Sequence, residues 1–385
     1  MSTRCSGGKL NGLGYFFNEM KAKPLRRIVI DTGVIEKNWR IIKDCLGAET
    51  KPIWVIKSHM YGLGLKTIKH VSTDIAGYGV EDCEAALIVN HLDPTKPIYI
   101  LYPISPVYFH SDCLPLVWSG RVIPTVESKQ QIDEWVALAE RDSIKTFGVQ
   151  LKMRSYGGRF GVESKELVLT IEYVQKKGLD IKGVFSHPSC STVSSIAELK
   201  EECDSFVEKA KRALPETPIH FSDSACVMQG VGTNLDRVRV GMLPLGLLPL
   251  IPDGRWVELK PAFTVYGRVT NIHSLSGKET IGYTKSHQKT LPYAAIVALG
   301  YAHGIPRVIG EVGYGWWQGK KILYASKPWM EFSPFGFDKK DITLLGSEVE
   351  ILGPKTPPHL FAKLAGKAPE EFVCKLSPSI NREIV

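Results

Sequence analysis

Through the first two thirds of the chain, short apolar runs alternate with longer segments whose apolar residues return every three or four positions. The runs KPIWVIKS (51–58), DIAGYGV (74–80), PIYILYP (97–103), RVIPTV (121–126), FGVQLKM (147–153), IKGVFSH (181–187), TPIHFSD (217–223) and RVRVGML (237–243) read as eight strands. Between them EDCEAALIVNHL, SKQQIDEWVALAERD, SKELVLTIEYVQKKG and SIAELKEECDSFVEKAKRAL carry helical periodicity. Ahead of them RRIVID (26–31) reads as a strand and VIEKNWRIIKDCL (34–46) as an amphipathic helix. Eight strand–helix units in about 200 residues predict an α/β fold, a (β/α)8 barrel of the TIM type. An open doubly wound sheet is the alternative, but it usually has a GxGxxG turn after its first strand and none stands there.

From about residue 258 the texture changes. FTVYGRVTNIHSL, YAAIVALGY, KKILYAS, ITLLGSEVEIL and EFVCKLS are short, β-branched and broken by turn residues, and only the stretch around HLFAKLAG has helical spacing. This predicts a C-terminal, mostly-β domain. Pro252, Asp253 and Gly254 mark the turn between the two. The expected division is an N-terminal segment 1–26 associated with the β domain, a barrel over 27–255 and the β domain over 256–385.

Composition narrows the function. At 385 residues and 44% hydrophobic the chain can bury a large core, and no uninterrupted apolar run of membrane-spanning length occurs. The net charge of +8 is spread without a basic block or interleaved aromatics, which excludes nucleic acid as the natural partner and suits an anionic ligand. Eight scattered cysteines fit free thiols in a reducing cytoplasm, and neither they nor the ten histidines have metal-ligand spacing. The basic first 27 residues read as a solvated start, with a transit peptide as the alternative.

The candidate chemistry lies at the strand ends, where barrel active sites are built. The first strand ends in Lys57, with Tyr61 four residues on. A lysine at the mouth of a buried strand must be solvated, paired, deprotonated or covalently bound. A surface lysine just past the strand is the plain alternative. Later strands end near Lys152 and Arg159, at His187, at Asp223 and Ser224, and at Arg239, Gly241 and Met242. Taken singly, His187 could be a core histidine, Arg159 and Arg239 rim ion pairs, and Ser224 a helix cap. Together they share one face. A hydroxyl with backbone N–H groups after the seventh and eighth strands is the usual barrel phosphate site. Beside a poised lysine, that implies pyridoxal phosphate held as a Schiff base.

VIKSHMYGLG, LKMRSYGGRFGV, FSHPS, HFSDSA, VRVGMLPLGL, ALGYAHGIPR and CKLSPSINR, in that order and spacing, resemble segments of the alanine racemase family. The resemblance covers nearly the whole chain. It implies a homodimeric enzyme of pyridoxal 5'-phosphate acting on a small amino acid, alanine by default, by a two-base mechanism. Lys57 would carry the cofactor and serve one face of the substrate, and Tyr301 of the second subunit the other. Arg239 would face the ring nitrogen, and His187 would link Arg239 to Tyr301. Arg159, oriented by Lys152, which some members carry as a carbamate, would hold the phenolic oxygen. Tyr61, Ser224, Gly241 and Met242 would bind the phosphate, and Met330, with Arg159, the substrate.

The chain departs from that pattern at Arg154 for an Asp, Ser155 and Tyr156 for Thr-Gly, Asp223 for an Asn, Glu331 for an Asp and Pro378 for a Tyr. These departures leave serine, lysine or ornithine open as substrates beside alanine, with acidic ones favoured if Arg154 points inward. A decarboxylase and a non-catalytic pyridoxal-phosphate-binding protein on the same scaffold also stay open, though Arg239 disfavours the decarboxylase.

Overall fold

A computed structural model describes residues 23–192, 194–251, 258–275, 281–282 and 291–385 of the chain. Residues 1–22 of the candidate targeting segment and the expected turn at Pro252, Asp253 and Gly254 lie outside the described residues.

All eight predicted barrel strands form. They are β2 (Lys51–Val55), β3 (Gly77–Val80), β4 (Ile98–Ile100), β5 (Val122–Ile123) with β6 (Thr125–Val126), β7 (Gly148–Lys152), β8 (Asp180–Phe185), β9 (Ile219–His220) and β10 (Arg237–Val240). Neighbours pair in parallel, and β10 returns to β2. β5 and β6 are one strand interrupted at Pro124, which has no N–H to give but accepts the Gln150 N–H at 2.9 Å. Since β5 pairs β4 and β6 pairs β7, the barrel closes there.

Alternation along each strand separates two cores. Ile53, Val55, Tyr99, Leu101 and Ile123 point inward as one cluster. Trp54 and Ile56 point outward under the helices, where Trp54 meets Trp39 edge-on at 5.6 Å. Both faces are buried, and the strands therefore read as continuous apolar runs. Side-chain caps start the surrounding helices: Asp31 accepts from Val34 N–H, Asp82 from Ala85 N–H, and Ser195 forms a capping box with Glu198.

The second sheet centres on β11 (Phe263–Ser274), which pairs antiparallel with β12 (Tyr293–Val297) and β16 (Glu348–Leu352). Further strands are β13 (Tyr314–Trp317), β14 (Lys320–Leu323) and β15 (Ser333–Phe337). The strand expected at 26–31 is β1 (Arg26–Ile30), and it belongs to this sheet: it lies between β11 and the parallel β17 (Asn381–Ile384). Only its backbone pairing, between residues far apart in sequence, reveals that. Arg27 secures the junction with a bidentate contact to Glu348 and a bond of 2.6 Å to Glu383. EFVCKLS, expected as a strand, instead begins inside a short helix, Pro369–Val373. Pro369 in the first turn, followed by Glu370 and Glu371 at the positive end of the dipole, favours a helix start over a strand. Among the described residues no helix is long and apolar enough to cross a membrane.

Candidate active site

The C-terminal ends of the barrel strands open into a cavity of about 770 Å³. Ten of the residues singled out from sequence line it: Lys57, Tyr61, Lys152, Arg159, His187, Asp223, Ser224, Arg239, Gly241 and Met242. Tyr301 and Met330 do not. They lie on the β domain, 40% and 56% exposed, in two segments tied by backbone bonds from Tyr301 N–H to Trp329 O and from Ala302 N–H to Met330 O, both 2.9 Å.

Lys57 leaves β2 into a left-handed turn. Ser58, His59, Met60 and Tyr61 have φ of 52°, 52°, 57° and 54°, a conformation that costs L-residues about 1–2 kcal/mol each. The turn persists because it is pinned on several sides. Ser58 N–H donates to Glu81 Oε1 at 2.7 Å, Met60 and Tyr61 are buried, and Arg382 of β17 donates to Gly62 O at 2.6 Å. The result places the Lys57 Nζ 3.4 Å from the Tyr102 hydroxyl and the Tyr61 ring against Gly241. A Cβ on Gly241 would lie 2.3 Å from the Tyr61 oxygen, so any larger residue would have to displace the Tyr61 ring. Gly241 N–H in turn donates to Ser224 Oγ at 3.3 Å. Asp223 caps the following helix through Cys226 N–H and accepts from Ser191 Oγ at 2.7 Å. The usual family Asn is thus replaced by a carboxylate employed as a helix cap.

Arg239 points into the barrel, 5% exposed. Its NH2 donates to Ser186 O at 2.7 Å and Phe221 O at 2.6 Å, and its NH1 donates to His220 Nδ1 at 2.6 Å. Burial lowers its pKa to about 10, while Asp223 supports the charge, so the guanidinium stays cationic at neutral pH. It reaches His187 Nδ1 at 3.5 Å. A guanidinium can only donate, so Nδ1 accepts and the neutral ring carries its proton on Nε2. Burial first, then Arg239, Arg159 and Lys152 against Asp223, bring the His187 pKa to about 3 and keep the ring neutral. Lys152, 6% exposed, is lowered to about 8 by burial and by Arg239 and Arg159.

Six cationic side chains line the cavity, Lys57, Lys152, Arg159, Arg239, Lys363 and Lys367, against the two carboxylates Asp223 and Glu370. That imbalance, the Ser224 hydroxyl and the glycine cradle at Gly241 fit an anionic, phosphate-bearing group next to a lysine. Arg154 does not contribute: it faces a separate groove, where it meets Glu163 at 3.4 Å. Pro378 is not among the lining residues either.

Sequence reasoning passes over Tyr102, His220, the loop of Ser189, Cys190, Ser191 and Thr192, and two lysines near the C-terminus, Lys363 in the helix Pro358–Ala365 and Lys367 just after it. Tyr102 is within reach of the strand-end rule applied to β4. Lys363 and Lys367 carry no local signal, because only the tertiary fold brings them to the cavity.

Residues 30–249 match the family described as alanine racemase, N-terminal domain, and residues 262–384 match alanine racemase, C-terminal domain. Relatives include a catabolic alanine racemase of Agrobacterium fabrum, 25% identical over 93% of this chain and 92% of its own length. An alanine racemase of Streptococcus suis is 26% identical over 92% and 97%. Among solved structures, alanine racemase of Clostridium difficile superposes with a TM-score of 0.83 at 21% identity, covering 95% of this chain and 97% of that one. Alanine racemase of Bartonella henselae, solved with covalently bound pyridoxal phosphate, gives 0.79 at 22% identity over 94% and 100%. At such identities these structures speak for the fold.

Proposed function

Because the chain belongs to the alanine racemase family, we propose that it is a pyridoxal-phosphate-dependent isomerase that interconverts L- and D-alanine. The observation that carries this reading is a lysine at a strand end opening on a cation-rich cavity that demands an anion. When bound, the cofactor supplies an electron-withdrawing ring that acidifies the substrate's α-carbon.

The chain's own residues do the rest. Lys57 would hold the cofactor covalently. Tyr61, Ser224 and the backbones of Gly241 and Met242 would bind its phosphate. Arg159 with Lys152 would bind its phenolic oxygen, and Arg239 would keep its ring nitrogen unprotonated. A neutral Lys152 amine, available near its lowered pKa, can also take up carbon dioxide as a carbamate.

Racemisation moves one proton off one face of the α-carbon and another onto the opposite face. Lys57 Nζ serves the first face. Tyr301 and Met330 lie outside this chain's own cavity, and so the second face is served by the Tyr301 hydroxyl of a second copy, with the same copy's Met330 N–H binding the substrate carboxylate. The neutral His187, protonated on Nε2, would donate to that phenol oxygen and lower its pKa. The assembly is a homodimer with two shared sites. Because Arg154 faces away from the cavity, an acidic substrate is not favoured.

The test is chiral chromatography of the holoprotein with L-alanine in deuterium oxide, alongside serine, lysine and ornithine. D-alanine carrying an α-deuterium is the expected product, absent with Lys57→Ala. Cofactor binding with neither deuterium nor D-product for any amino acid would replace this reading with a binding protein, and carbon dioxide release would replace it with a decarboxylase.

A further inference from the structure

Tyr301 and Met330 belong to segments separated by the strands β13 and β14, yet they behave as one piece of structure. The two backbone bonds between them are reinforced at Gly300, where a Cβ would lie 2.3 Å from Trp329 O and 2.5 Å from Met330 O. Trp329 N–H donates to Phe332 O at 2.7 Å, closing the tight turn that presents Met330 and Glu331. A side chain makes the last connection. His303, 2% exposed, accepts Gly300 N–H at Nδ1 (3.1 Å) and sets Nε2 3.2 Å from Glu331 Oε2. With Nδ1 accepting, the proton of the neutral ring is on Nε2, which therefore donates to the carboxylate. Burial, then Arg26, lower the His303 pKa against the opposing effect of Glu331, and the ring stays neutral. Arg26 of β1 reaches the same carboxylate oxygen at 3.4 Å.

We propose that His303 and Glu331 are a positioning pair that fixes the Tyr301 side chain relative to the Met330 backbone, so that the proton-transferring phenol and the carboxylate-binding amide enter the second chain's cavity as one rigid unit. Neither residue touches the substrate. The pair rests on the roles given above to Tyr301 and Met330, and it acts only through them. A shift of order 1 Å in a positioned group costs up to about a hundredfold in rate, which is the effect available to such a pair.

Two variants divide the contacts. His303→Asn keeps an acceptor for Gly300 N–H but is too short to reach Glu331, and Glu331→Ala removes the contact from its half-exposed end, where folding is little affected. In holoenzyme made with either variant, kcat should fall about ten- to a hundredfold. The loss should be lopsided: one enantiomer should exchange its α-proton with solvent through Lys57 faster than it racemises, while the other exchanges no faster than its slowed racemisation. Glu331→Gln, which keeps an acceptor for Nε2–H, should restore most of the rate and the symmetry. Wild-type kcat in both variants, or a loss with symmetrical exchange, would overturn the proposal. If Tyr301→Phe is itself without effect, the underlying assignment fails; if Tyr301→Phe is slow and lopsided while the pair variants are not, only the positioning role fails.

Discussion

The Lys152 ammonium, 6% exposed, shares its cavity with Arg159, Arg239 and Lys57, and this crowding has a measurable pH signature. Its pKa in the fold, about 8, lies below the unfolded value. Between the two the unfolded chain binds more protons, so stability rises as pH climbs through that window and is lowest below it. In urea denaturation of cofactor-free protein, Lys152→Met should be more stable than wild type at pH 7, and the gap should close by about pH 10.5. A gap that does not change with pH would mean that the lysine is paired rather than strained. Arg239 is the complementary case. Its guanidinium satisfies three buried carbonyls and the His220 ring, so Arg239→Met should cost about 3 kcal/mol or more, seen as a lower unfolding midpoint. Because Arg239 also depresses Lys152, the same variant should raise the Lys152 pKa.

Among the elements, the left-handed turn after β2 and the strand end at β10 meet at one point, the Tyr61 hydroxyl over Gly241. Tyr61 is anchored by a turn that is itself pinned by Glu81 and Arg382, so it cannot yield to a new methyl group. Gly241→Ala should fold, yet overpacking of about 1–3 kcal/mol at the cradle should weaken pyridoxal phosphate about ten- to a hundredfold, measured by equilibrium dialysis. Unchanged affinity would move the phosphate elsewhere. What makes this region legible in sequence is the parallel barrel itself. Strands buried on both faces are continuous apolar runs, and the polar residues that interrupt them, Lys57, His187 and Arg239, mark the strand ends. The turn's handedness leaves no trace, since Ser58, His59, Met60 and Tyr61 are ordinary residues in an αL path that tertiary contacts impose. The helix at Pro369–Val373 reads as a strand because its apolar Phe372 and Val373 resemble strand residues, while Pro369 and the two glutamates at its start are the better guide. Arg154 draws attention as a change of charge, but its orientation is set by Glu163 and only the fold shows it.

On the scale of the molecule, β1 and β17 bring both ends of the described chain into the second sheet, and Arg382 carries that sheet's last strand to the turn that bears Lys57. The barrel and the β domain are therefore mechanically linked beside Lys57, while Tyr301 and Met330 lie on the β domain, outside this cavity. In the proposed dimer each chain holds half of the machinery. The most direct test is to mix Lys57→Ala with Tyr301→Phe chains, each nearly inactive alone, under conditions that let subunits exchange. One site in every mixed dimer then has both groups, and alanine racemisation should recover to about a quarter of the wild-type rate, the statistical limit for a two-fold dimer. No recovery, with exchange verified by native mass spectrometry, would contradict a site shared between two chains.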